Sequence, residues 1–122
     1  EFARYLHLMY DYKCVIRNSS LIKTDSCTGL IAAHIKPHKD GGPLLPTNGL
    51  LMSADLHLAF DKGAFTLTLD NTIEINPKVP SNSDIWQFNG KKIMQTSSDY
   101  EIYAPFEEYV LYHRENIFAR YQ

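Results

Sequence analysis

The sequence predicts an α+β fold, with two short strands and a helix at its centre, helices at both termini and an additional β-hairpin. Three observations carry that expectation. Apolar runs at Gly29–His34 and Gly49–Met52 flank a loop with three prolines and two glycines, the pattern of two strands and a long connection. Ser53, a good N-cap, with Asp55 in the following turn and Gly63 ten residues on, brackets a short helix. The 122 residues are 44% apolar and 21% charged, which suits one globular domain rather than a disordered chain.

Taken in order, Phe2, Leu6 and Met9 fall at i, i+4 and i+7, with Tyr5 and Tyr12 flanking that face, so a helix is expected from about residue 2 to 12. Asn18, Ser19, Ser20 and the pair Asp25-Ser26 are turn formers, with a short strand between them at Leu21-Ile22. The first central strand ends at His34, and the second begins after Asn48. The central helix runs from about Ala54 to Asp61 and stops at Gly63 as its C′ residue. Phe65, Leu67 and Leu69 alternate with Thr66 and Thr68 as a half-buried strand, Asp70-Asn71 turns it, and Ile73 and Ile75 return as the second arm of a hairpin. Ile85–Phe88 and Lys92–Met94 read as short strands around Asn89-Gly90. Pro105 suits the first turn of a last helix that carries Phe106, Val110, His113 and Ile117 on one face.

Composition bounds the function. No apolar run approaches the roughly 20 residues of a membrane span, and no signal peptide is visible, so the expected location is cytoplasmic with no membrane partner. Glu1 to Arg4 already look like the start of a helix, so residues 1–122 read as one domain of a longer protein. Cys14 and Cys27 are too few for a disulfide scaffold and form no C-x-x-C pair, which favours reduced thiols. The net charge of −2 argues against a tight duplex binder. Its distribution is uneven: Lys13 to Lys39 holds five bases against Asp25 alone, whereas Tyr100 to Gln122 holds four acids against two bases.

The chemistry-bearing residues sit in the middle. Phosphodiester hydrolysis needs a base for the attacking water and neutralisation of charge on the phosphoryl and leaving oxygens. A neutral histidine suits the first task near pH 7, and one divalent ion can perform the second. His34 ends a strand and enters a loop, a place for a general base and equally for a satisfied core histidine. A backbone carbonyl on one ring nitrogen would fix its tautomer. Asn48 closes that loop, as a brace or as half of an Asn-Gly turn. His57 and Asp61 lie at i and i+4, on one helix face, either as ligands of a hard or borderline divalent ion or as a surface pair. Lys36, His38 and Lys39 in the loop and Lys62 after the helix are placed for a phosphate backbone or are solvated charges. His113 reads as a core histidine with one hydrogen bond.

The phrases Ala32-Ala33-His34-Ile35-Lys36-Pro37, Asn48-Gly49-Leu50-Leu51-Met52 and Phe60-Asp61-Lys62-Gly63 together resemble the HNH endonuclease family, in the branch with A-[A/S]-H-I-x-P and F-D-x-G motifs found in the C-terminal nuclease domains of restriction-type proteins. The fit is nearly continuous from Gly29 to Phe65 and looser over the flanks, down to the tail Tyr112-His113-Arg114-Glu115-Asn116-Ile117-Phe118. The resemblance implies a ββα-metal (His-Me finger) core with His34 as base, Asn48 bracing the loop and His57 as the third motif residue. His57 and Asp61 would hold one divalent metal ion, with Mg²⁺ expected first and Mn²⁺, Ni²⁺ or Zn²⁺ as alternatives. Many members place Asp or His directly before the base as a further ligand. Here that residue is Ala33, as in relatives with Ala or Ser, so water, the scissile phosphate or Asn48 must complete the shell.

The expected function is a metal-dependent DNA endonuclease domain, the cleavage module of a restriction or defence protein. Its partners would be DNA, a recognition domain outside this chain and a second copy in a homodimer. Two alternatives share the sequence: a non-catalytic nucleic-acid-binding module of the same fold, and a structural metal-binding interaction domain. No long basic helix is present to enter a major groove, so weak binding and little sequence preference are expected of the domain alone.

Overall fold

The segment from Leu30 to Asp61 folds as a hairpin that runs directly into a helix. The computed structural model describes residues 1–24 and 27–122, so Asp25 and Ser26, read above as turn formers, lie outside the described residues. Strand β1 (Leu30–His34) pairs antiparallel with β2 (Gly49–Ser53), with Leu30 opposite Ser53 and His34 opposite Gly49. Ser53 ends β2 and caps α2 (Ala54–Asp61), so no linker separates sheet from helix. That continuity fixes the helix against the sheet that carries His34.

The N-terminal helix α1 (Phe2–Met9) lays its apolar stripe on this hairpin. Leu6, Met9 and Tyr10 are fully buried with Leu50, Leu51 and Met52 of β2, and this is the centre of the core. The helix stops at Met9, earlier than its apolar spacing predicts, because Asp11 and Tyr12 take left-handed backbone angles (φ 53° and 58°) that end it. A second antiparallel hairpin, β3 (Phe65–Leu67) and β4 (Ile73–Ile75), follows α2, and helix α3 (Glu107–Asn116) packs on β3. The result is a mixed α/β domain with two small antiparallel sheets, consistent with the HNH-type fold.

Several expectations are corrected. Leu21 and Ile22 form no strand; they are 61% and 51% exposed, without a sheet to receive them. β3 ends at Leu67, and Thr66 is fully buried rather than solvent-facing because its hydroxyl bonds His113. Leu69 lies beyond the strand and is exposed. The segment Asp84–Phe88 is a 3₁₀ turn rather than a strand, started by the Ser83 hydroxyl, which accepts the Ile85 N–H. Lys92–Met94 is not a strand; among the described residues Lys92 forms an isolated bridge to Thr72. Pro105 lies outside α3, whose cap is Phe106.

Candidate active site

The loop between β1 and β2 is shaped by one buried side chain. Asn48 has no exposed surface; its Oδ1 accepts the Lys36 N–H at 2.8 Å, and its Nδ2 donates to the carbonyls of Lys36 and Pro43, both at 3.0 Å. Both amide hydrogens are therefore spent on the loop backbone. The Pro37 carbonyl accepts the N–H groups of Asp40 and Gly42, which closes a 3₁₀ turn over His38–Asp40. Gly42 is required there: a Cβ at that position would stand 1.9 Å from the Lys36 carbonyl oxygen. The chain after His34 is thus folded back tightly, and His38 is carried to within 6.1 Å of the His34 ring, centroid to centroid.

His34 is held differently from the sequence expectation. No backbone carbonyl bonds either ring nitrogen among the described residues, and the sealed Nε2 has no hydrogen-bond partner. The ring's neighbours are the aromatic rings of Phe2 and His38, which offer no carbonyl. Phe2 of α1 stacks on it at 4.8 Å and 22° and sets its plane. Burial, aided by the neighbouring His38, pushes the His34 imidazolium below the usual histidine range, against the pull of Asp61. The ring is therefore neutral near pH 7, the form able to accept a proton.

α2 carries the second pair. His57 and Asp61 point the same way, with Nε2 3.0 Å from Oδ2. Burial pushes the Asp61 carboxyl up, opposed by the charges of His57, His34 and Lys62. Both ends of α2 are tied down. At its start Arg17 donates to the Ser53 hydroxyl (2.6 Å) and to the Asp55 carboxylate (2.8 Å), and the Ser53 hydroxyl donates to Asp55. The Arg17 guanidinium, then Ser53, hold the Asp55 carboxyl well below its usual range. Ser53 thus caps α2 by position, while its hydroxyl serves this cluster rather than a helix N–H.

His34, His57 and Asp61 line one cavity of about 390 Å³, together with His38, Lys39 and Lys62. The structure does not bring all the sequence candidates there. Asn48 is buried behind the loop, and the Lys36 ammonium lies over the Tyr112 ring at 4.7 Å. Two neighbours had been read from the sequence only as packing residues: Phe2, on the apolar face of the first helix, and His113, a polar residue in the apolar stripe of the last.

The donor set fits a divalent ion in part. Two ligands at right angles, each about 2.1 Å from one ion, stand about 3.0 Å apart, the gap between His57 and Asp61. Among the described residues no group of three or more His, Cys, Asp or Glu side chains is placed to hold a metal. Ala33 is fully buried in the core and contributes no donor.

A fold that joins a two-stranded hairpin to a helix, with histidines at the strand end and on the helix, defines a class. The model of the HNH endonuclease family matches residues 14–68, so this chain is similar to that family over just under half of its length. Among solved structures, one described as "Modification dependent TagI restriction endonuclease" is similar, with a TM-score of 0.65 and 20% sequence identity over 93% of this chain and 36% of that one. At that identity the likeness is one of fold, and this chain spans about a third of that protein's length. No curated protein matches. Family and fold together support a nuclease-related function. Among the described residues no helix is long and apolar enough to cross a membrane.

Proposed function

We propose that residues 1–122 form a DNA endonuclease domain with a ββα-metal core made of β1, β2 and α2, acting as the cleavage module of a restriction or defence protein. The observation that carries this reading is the shared cavity. A histidine whose charged form is disfavoured by burial lines the same cavity as an imidazole–carboxylate pair in contact at 3.0 Å.

His34 takes the proton of the attacking water on Nδ1, since Nε2 is sealed. Phe2 keeps its ring plane fixed, and Asn48 holds the loop so that His34 and His38 face the cavity. His38, Lys39 and Lys62 receive the phosphate backbone; Lys36 contributes bulk positive charge from further out. His57 and Asp61 would hold the ion, which would supply neutralisation of the phosphoryl and leaving oxygens. Backbone contacts carry no direct sequence information, so this module cuts with little sequence preference, and selection belongs to a domain outside this chain or to a second copy pairing two cuts.

The test is nicking of supercoiled plasmid by the purified chain with Mg²⁺ or Mn²⁺, against the same reaction in EDTA. Conversion to open circles only with metal is expected. Metal-independent nicking would refute the one-metal reading. DNA binding without nicking under any divalent ion would favour the non-catalytic binding module, and absence of both would favour the interaction domain.

A further inference from the structure

We infer that His113 is a positioning residue for Asp61, so that the candidate metal site extends to α3, far outside the segment that the family model matches. The inference rests on the reading of His57 and Asp61 as metal-holding residues. His113 is 1% exposed. Its Nε2 lies 2.9 Å from the Phe60 carbonyl oxygen, which can only accept, so Nε2 carries the hydrogen and donates. Its Nδ1 then accepts from the Thr66 hydroxyl at 2.7 Å. The imidazole also stacks flat on the Phe60 ring, at 3.8 Å and 8°.

Phe60 directly precedes Asp61, and its carbonyl is one of the last four of α2, which lack partners within the helix. That carbonyl accepts two N–H groups, from His113 and from Gly63 at 3.1 Å. The same turn is pressed from α3's C-terminal end. Gly63 has φ +86°, and a Cβ there would stand 2.4 Å from the Ile117 carbonyl oxygen. Asn76 donates to the carbonyls of Gly63 and Phe118 at 3.3 and 2.9 Å, binding the two chain segments together. Peptide planes are rigid, so fixing the Phe60 carbonyl and the Gly63 turn fixes the Cα–Cβ direction of Asp61 between them. Burial pushes the His113 imidazolium down to about 4, so the ring stays neutral across the neutral range.

The experiment is calorimetric titration of the 122-residue chain with Mn²⁺, with urea unfolding measured on each variant. Loss of an outer-shell partner typically weakens metal binding 10- to 100-fold. His113→Phe, which keeps a flat ring without the donor, is expected to weaken Mn²⁺ binding about tenfold or more. Thr66→Val also removes a buried hydrogen bond of the cluster but leaves the Phe60 bond; it is expected to lose stability and to bind Mn²⁺ within about threefold of wild type. Equal weakening in both, or unchanged binding in His113→Phe, overturns the inference. If His113→Phe does not fold, His113→Gln and His113→Asn form the deciding pair. The longer amide reaches the carbonyl and should bind near wild type, and the shorter should be about tenfold weaker; equal affinities overturn the inference. A wild-type chain that binds no Mn²⁺ overturns the metal-site reading beneath it, a result separate from any variant.

Discussion

His34 and His113 both line one cavity, and burial lowers the pKa of both. Their surroundings are otherwise opposite. His113, on α3, has each ring nitrogen bonded and a ring stacked face to face on Phe60. His34, at the end of β1, has no side-chain hydrogen bond among the described residues and a sealed Nε2 without a partner. A depressed pKa alone therefore does not separate a histidine kept for chemistry from one kept for architecture. Hydrogen bonding does differ between the two, although the buried Tyr10 hydroxyl also lacks a partner among the described residues, so the assignment of His34 rests on its place in the cavity.

The contrast can be broken by stability measurements. His113→Ala leaves the Thr66 hydroxyl unpaired and a void beside Phe60, and is expected to cost roughly 3 kcal/mol or more in urea unfolding. His34→Ala loses the Phe2 stack but also removes the orphaned nitrogen, so the two effects offset and the change should stay under about 1 kcal/mol. Similar costs for the two variants would erase the distinction.

A smaller effect sharpens it. The folded-state pKa of His113, about 4, lies below the unfolded value, so the unfolded chain binds more protons between the two. The resulting stabilisation, on the order of 3 kcal/mol at pH 7, is fully present above pH ~6.5 and is lost as pH falls towards 4. Unfolding free energies measured from pH 7 to pH 4 should fall more steeply in wild type than in His113→Gln. Parallel curves would show that His113 is not the buried neutral group described.

The central part of the fold was legible because it is local. Ser53, Asp55 and Gly63 punctuate α2 within ten residues, and its bounds match the expectation of Ala54–Asp61. β1 ends at His34 and β2 follows Asn48 for the same reason: the turn chemistry lies between them. What failed was set by distant partners. Thr66 looked solvent-facing by alternation, but His113, 47 residues away, takes its hydroxyl into the core. Asp84–Phe88 has the apolar content of a strand, but no adjacent strand pairs with it, and Ser83 starts a 3₁₀ turn instead. In the cavity, the contact between His57 and Asp61 was readable from their i, i+4 spacing. The Phe2 stack on His34 and the departure of Lys36 towards Tyr112 depend on helices packing from both termini, which no local pattern encodes.

The most direct test of the account is the single-turnover nicking rate of His34→Ala beside wild type, at saturating Mn²⁺ and with DNA affinity measured on both. Loss of a general base costs about 10²–10⁴ in rate. A fall of that size with DNA affinity and fold retained is the expected result. Nicking by His34→Ala at the wild-type rate would contradict the assignment of the cavity and return His34 to the core.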